Sequence, residues 1–534
     1  TAVCRVVELI LKGVSNRKES FRYDPAAHHK LAVQAARQAA VLLKNEGSLL
    51  PGNPKQKAAV IGAFAKTPRI QGAGSSKIHP IAVETPWDCM TEYGVDAVYA
   101  PGYPLKTSAP DKRELAAQEK RIAEACKAAE GKDIVYIFAG LPEGYESEGF
   151  DRGSLSLPQE QNRLIEAVCA CNPNVAVILI GGAPVELPWI GKVRTVLLAY
   201  LGGEGMGRAI AELLLGLATP CGKLAETWPL QLKDTPGYHY FPGGRLTAEY
   251  RESIYIGYRY YEKAQKPVLF PFGHGLSYTE FSYSGLTTDR DSYAFGETVR
   301  LTFSITNCGN LPARETALIF TAHESDTVFL PKKELREFVK VTLGPGETKQ
   351  VSVLLDTAAF GYYNTAIGGW HAESGRYRIL VGRSSEDCPL EADIRLSSPE
   401  QPQPELKQKA PVYYRLPKGD LEIDLREFEA LYGKKLPAHD GRASRPYDWY
   451  NTLEDVRHTL VGKIVLMYAD RMNREVTRVE KDQSGMMSAA FKEMTFIALV
   501  ASADGAVTER MMEGIVDLLN GHYLKGLRKI IGKS

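Results

Sequence analysis

No apolar run in this 534-residue sequence reaches the ~20 residues that a membrane-crossing helix needs. The longest, residues 175–185, falls well short of that, and no membrane is expected among the partners. An excess of charge of one sign is also missing. The 65 basic residues face 64 acidic ones, a formal net charge of +1, so no broad electrostatic footprint exists for nucleic acid or an acidic surface. Cysteine is sparse, with eight residues at 4, 89, 126, 169, 171, 221, 308 and 388. None has zinc-ligand spacing, and Cys169/Cys171 is one residue short of a redox pair. Buried free thiols in a reducing, cytoplasmic compartment are the expectation. The ten histidines hold no pair at metal-binding helical spacing, and no P-loop is present. Neither a metal nor a cofactor is expected.

What is present is the composition of a globular chain of about three or four domains, 44% apolar and 24% charged. Residues 1–13 read as an apolar helix rather than a secretory signal. The chain opens inside that helix at Thr1, so further sequence is expected upstream. Residues 28–45 read as a helix carrying Leu31, Ala35, Ala39 and Leu42, ended by Asn45-Glu46-Gly47. Short apolar strands are then expected at 58–62, 133–140, 175–180 and 196–201, with helices at 159–171 and 208–215. Apolar strands separated by helices mark a mostly parallel sheet covered on both faces.

Beyond an aromatic, Gly/Pro-punctuated segment the period becomes two. Val299, Leu301, Phe303 and Ile305 alternate with polar residues, the pattern of an antiparallel sandwich. The expected order is therefore 1–27 helix and linker, 28–235 α/β sandwich, 236–290 connecting segment, 291–397 β-sandwich, 398–409 Pro-rich linker and 410–534 a mostly helical region. That last region holds seven of the nine methionines beyond Thr452, which are read as packing residues.

Two loops carry candidate chemistry. Leu141-Pro142-Glu143-Gly144-Tyr145-Glu146-Ser147-Glu148-Gly149-Phe150-Asp151-Arg152 crowds four carboxylates at the carboxyl end of a buried strand. Open α/β sheets bind ligands at that end. Tyr145 and Phe150 flank the acids, and apolar rings hold a carboxyl proton longer, as a general acid needs. Asp151 and Arg152 are expected to pair locally. The second loop, Gln71-Gly72-Ala73-Gly74-Ser75-Ser76-Lys77-Ile78, offers glycine-permitted backbone approach and hydroxyls suited to a sugar. A solvated acidic loop and a flexible glycine loop remain the plain alternatives. Gly202-Gly203-Glu204-Gly205-Met206-Gly207 lacks dinucleotide-fingerprint spacing and is read as a tight turn with close backbone approach.

Ordered motifs then resemble one family. Val41-Leu42-Leu43-Lys44-Asn45-Glu46, Ser147-Glu148-Gly149-Phe150-Asp151-Arg152, the string Gly182 to Trp189, Gly222-Lys223-Leu224 with Thr227-Trp228-Pro229, and Leu269 to Thr279 (LFPFGHGLSYT) resemble the β-glucosidase group of glycoside hydrolase family 3. Glu334-Leu335-Arg336-Glu337-Phe338 and Leu343-Gly344-Pro345-Gly346-Glu347 resemble its fibronectin-III-like domain. Leu201-Gly202-Gly203-Glu204 departs from the family's usual turn, and Cys221 from its usual serine. Residues 1–13 resemble the helix that closes the family's N-terminal (β/α)8 barrel, and no barrel of roughly 250 residues precedes residue 28.

The resemblance implies a retaining exo-glycoside hydrolase acting on terminal β-D-glucosyl residues of short oligosaccharides or glucosides. Glu148 is the implied acid/base, with Glu146 as the fallback, and Ser75 and Ser76 the implied sugar contacts. The nucleophile belongs to the barrel, expected in cis or on a separate chain. A β-xylosidase of the same family, a non-catalytic carbohydrate-binding chain and a homo-oligomer stay open.

Overall fold

The computed structural model describes residues 1–105, 112–148, 151–244, 247–437, 443–467 and 492–531 except 504 and 506. Gly149 and Phe150 of the acidic loop, and Met472, Met486 and Met487 of the helical region, lie outside the described residues.

Helix α1 (Ala2–Ser15) buries no residue. Helix α2 (Pro25–Ala39) starts where the Asp24 carboxylate accepts the amides of Ala26 and Ala27, a side-chain N-cap. It ends earlier than its apolar spacing predicts. Val41–Asn45 is strand β1, antiparallel to β6 (Thr195–Leu198), so the helix expected over 28–45 is corrected to a helix and a strand. The cause is tertiary. Val41, Leu42 and Leu43 are almost wholly buried, and the Leu276 amide donates to Leu42 O at 2.9 Å from beyond the sheet edge. His274 Nε2 donates to Leu43 O at 2.8 Å, and its ring stacks on Phe270. The string 269–279 thus closes this edge.

The rest of the sheet is β2 (Ala58–Ile61), β3 (Ala97–Ala100), β4 (Ile134–Gly140) and β5 (Val175–Ile180). The spatial order is β1-β6-β5-β4-β2-β3, with every pairing except β1/β6 parallel. Helices α3 (Pro86–Glu92), α4 (Lys112–Ala129), α5 (Gln159–Cys171) and α6 (Met206–Leu214) complete the domain. Sequence periodicity did not single out β3, α3 or α4, although Thr85 before Pro86 is a capping signal that the structure uses. The turn before α6 approaches its neighbours closely, since a Cβ on Gly205 would lie 2.9 Å from the Val33 backbone nitrogen.

The β-sandwich has one five-stranded and one three-stranded sheet. Its first strand, Phe281–Thr288, lies ahead of the boundary expected at 291. Val299, Leu301, Phe303 and Ile305 point into its core. Residues 410–423 pack on the connecting segment, where Tyr413, Leu416, Leu421 and Ile423 meet Tyr255, Tyr260 and Tyr261. The C-terminal helices have their own core, in which Met512 is buried among Leu453, Val456 and Phe496. All eight cysteines are free thiols, but the expected burial is corrected: Cys89 and Cys221 are buried, whereas Cys4, Cys171 and Cys308 are exposed on surface elements.

A buried ion pair joins the α/β domain to the sandwich. Lys223 Nζ lies 3.2 Å from Glu315 Oε1, with side-chain exposures of 11% and 5%, and Tyr283 donates to the same oxygen. Removing one partner of such a pair leaves an uncompensated buried charge, at a cost of about 3–5 kcal/mol. Lys223→Met is therefore expected to lower the unfolding free energy of this chain by about that much, and Lys223→Met/Glu315→Gln to recover a large part of it. Denaturation followed by fluorescence measures both.

Candidate active site

Strands β2 and β4 are neighbours, yet β2 leads to β3 on one side while β4 leads to β5 and β6 on the other. A parallel sheet opens a crevice at such a switch point, beyond the carboxyl ends of the strands. The glycine/serine loop leaves β2 and the acidic loop leaves β4, so both candidate loops rim this crevice.

The glycine/serine loop is clipped at its base. Gln71 Nε2 donates to Ile78 O at 2.8 Å and Gln71 Oε1 accepts the Ile78 amide at 3.0 Å. The Gly203 amide donates to Ile70 O at 2.8 Å, joining the loop to the turn after β6. At its tip the Ser75 amide donates to Glu148 Oε2 at 2.6 Å. The structure thus brings together two residues 73 positions apart that the sequence singled out separately. Ser76 is exposed beside them. Lys77 and Glu143 form a second link between the loops, 3.4 Å apart.

Glu148 is exposed, and bonds from the Ser75 hydroxyl and amide hold its carboxyl below the usual glutamate range. Of the two aromatics expected to hold its proton, Phe150 lies outside the described residues. Tyr145 packs against the α/β core instead. Glu148 is a carboxylate here.

Glu146 points the other way. Its Oε2 accepts Arg69 Nη1 at 2.7 Å and the Gly182 amide at 3.0 Å. A Cβ on Gly182 would stand 2.9 Å from Glu146 Oε1 and push this carboxylate aside. Glu226 lies near, and burial, then the charge of Glu146, pushes its carboxyl pKa up. The expected local pair of Asp151 and Arg152 is corrected too: Arg152 Nη1 donates to Pro184 O at 3.0 Å. Arg69 and Glu226 were missed in the sequence. Arg69 directly precedes the loop and follows Pro68, but its partners lie more than 70 residues away. Among the described residues no group of three or more His, Cys, Asp or Glu side chains is placed to hold a metal ion.

The glycosyl hydrolase family 3 C-terminal domain matches residues 40–278, and a fibronectin type III-like domain matches residues 315–385. The thermostable beta-glucosidase B of Acetivibrio thermocellus is 39% identical over 523 residues, covering 97% of this chain and 63% of that protein. An exo-alpha-(1->6)-L-arabinopyranosidase of Bifidobacterium breve is 39% identical over 396 residues, 72% of this chain and 51% of its own length. Among solved structures, a family 3 beta-glucosidase of Bifidobacterium adolescentis superposes with a TM-score of 0.70 at 37% identity, covering 76% of this chain and 59% of that one. The chain spans between half and two thirds of the length of these relatives.

A covered, mostly parallel sheet joined to a fibronectin-III-like sandwich, with a carboxylate loop at the switch point, is the architecture of a glycoside hydrolase's C-terminal portion. The chain belongs to glycosyl hydrolase family 3, as the portion that follows the barrel in that family.

The Ser75–Glu148 contact has a pH dependence whose sign follows from the lowered pKa. The contact is complete above the ordinary glutamate value of ~4.3 and is lost as pH falls through the lower folded value. Carboxyl-carbon NMR of the chain, assigned with Glu148→Gln, is expected to show Glu148 titrating below ~4.3, with the Ser75 amide shift following the same midpoint. A Glu148 midpoint above that value with a Ser75 amide that ignores it would contradict the geometry.

Proposed function

We propose that this chain supplies the acid/base of a retaining exo-β-glucosidase that removes terminal β-D-glucosyl residues from short oligosaccharides or glucosides. The observation that carries the reading is Glu148, an exposed carboxylate at the switch-point crevice, held by the tip of the facing serine loop. Ser75 and Ser76 face the sugar, and the nucleophile comes from a (β/α)8 barrel in cis or on another chain. Exposed apolar residues in the serine-loop segment and along α1 support a covering partner. Ile78 and Ile81 are 65% and 76% exposed, and Val3 and Leu9 on α1 are each 71% exposed, a display that marks an interaction surface.

In a retaining mechanism two carboxyl groups stand roughly 5–5.5 Å apart across the glycosidic bond. Glu148 protonates the leaving oxygen as the nucleophile attacks the anomeric carbon, giving a glycosyl-enzyme. The same residue then takes a proton from the water that breaks that bond. A partner closing over the crevice removes water from Glu148, and desolvation raises its pKa to where it delivers a proton. The relative whose name is an arabinopyranosidase favours one second reading, a pentopyranoside glycone, with β-xyloside the first to try. We place the protein in the cytoplasm, on the strength of its free cysteines.

Residues 1–534 alone are expected not to turn over aryl β-glucosides. In the barrel-bearing enzyme, Glu148→Ala is expected to slow substrates with poor leaving groups by ~10²–10⁴-fold and activated aryl glucosides far less. Azide should restore turnover and give the β-glucosyl azide, because a small anion attacks without a base. Glu146→Ala, which leaves Glu148 present as the base, should give no β-glucosyl azide. Azide rescue in the Glu146 variant, with normal activity in the Glu148 variant, would move the acid/base by two residues.

A further inference from the structure

Arg69 is almost fully buried, with 3% of its side chain exposed. Its guanidinium makes three bonds, all to the acidic loop. Nη1 donates to Leu141 O at 3.1 Å and to Glu146 Oε2 at 2.7 Å, and Nη2 donates to Glu146 O at 2.9 Å. The same Glu146 oxygen takes the Gly182 amide from the segment after β5. One planar fork therefore ties together the loop after β2, the loop after β4 and the chain leaving β5. Glu148 follows Glu146 by two residues and is the next point at which the two loops touch.

An ion pair this buried is a poor source of stability, since desolvation offsets most of the attraction. A fixed geometry is what it provides. Lysine does not substitute for it, because a point charge has no fork to hold a side-chain oxygen and two carbonyls at once.

We propose that Arg69, acting through Glu146, is the positioning residue of the acid/base, fixing the backbone that aims Glu148 at the glycosidic oxygen. This rests on the glycosidase reading above for its effect on turnover, but not for its effect on Glu148 itself. With Arg69 removed, the loop loses three anchors and Glu148 parts from the Ser75 amide. Its carboxyl then returns toward the ordinary glutamate range, which is the direction opposite to the hold now exerted by Ser75.

The test has two arms. In the 1–534 chain, the Glu148 carboxyl is titrated by NMR in Arg69→Met, Arg69→Lys and Glu146→Gln. The expected result is an upward move of the Glu148 midpoint in all three, with loss of its coupling to the Ser75 amide. Lys223→Met loses stability far from these loops and should leave that midpoint in place, which separates positioning from general loosening. If Arg69→Met does not fold, Glu146→Gln, which keeps the shape and removes the charge, carries the same test. An unmoved Glu148 midpoint in the folded variants overturns the proposal.

In the barrel-bearing enzyme, Arg69→Lys should lower kcat for alkyl glucosides by on the order of 10²-fold, with KM near that of the parent and a shifted basic limb of the pH profile. A lower activity that appears only in KM also overturns it. If the titration moves as expected but Glu148→Ala shows no leaving-group dependence, the positioning stands and the acid/base assignment falls.

Discussion

The chain leaves β2 and β4 in opposite directions although the two strands lie side by side, and the candidate site exists because of that reversal. Parallel pairing puts both carboxyl ends on one rim of the sheet, and the diverging connections leave a gap between them. A loop that follows β2 and a loop that follows β4 have no other place to meet. The glycine/serine tip, the acidic loop and the Gly182 amide after β5 converge there because the sheet order requires it. The reversal in turn depends on strands so apolar that they are buried on both faces. β4 and β5 are buried along their full length, which fixes their place in the middle of the sheet.

The two carboxylates of the acidic loop have different surroundings, and the difference separates their roles. Glu146 is turned inward, onto a buried guanidinium and a backbone amide. Glu148 faces the crevice, restrained only by the tip of a neighbouring loop. The first environment suits a residue that holds a loop, and the second leaves a carboxylate open to whatever enters the crevice. Local sequence does not distinguish them, since both are glutamates on either side of Ser147.

Much of the fold was legible in the sequence because its signals are local. The 3.6-residue period of 159–171 and the apolar run 175–180 coincide with α5 and β5, and the alternation from Val299 coincides with a buried sandwich strand. The position of the candidate loop was legible for the same reason, as acids crowded at the end of a buried strand. What was not legible came from distant partners. Val41-Leu42-Leu43 continued a helical spacing, and only pairing with β6 makes it a strand, its edge covered by the returning segment at Leu276. Arg69 read as one more basic residue, because its acceptors come from another βα unit. The low pKa of Glu148 was misread because Ser75, which causes it, lies far off in sequence while the neighbouring aromatic Tyr145 turns inward.

The central claim is that Glu148 faces a nucleophile carried by a barrel across the crevice. The most direct measurement is a crystal structure of the barrel-bearing enzyme trapped as its 2-fluoroglucosyl intermediate. The account predicts Glu148 released from the Ser75 amide, beside the anomeric carbon, with its carboxyl roughly 5–5.5 Å from the barrel carboxylate that carries the sugar. A trapped sugar with Glu148 still bound to Ser75, and a different carboxyl at the anomeric centre, would contradict it.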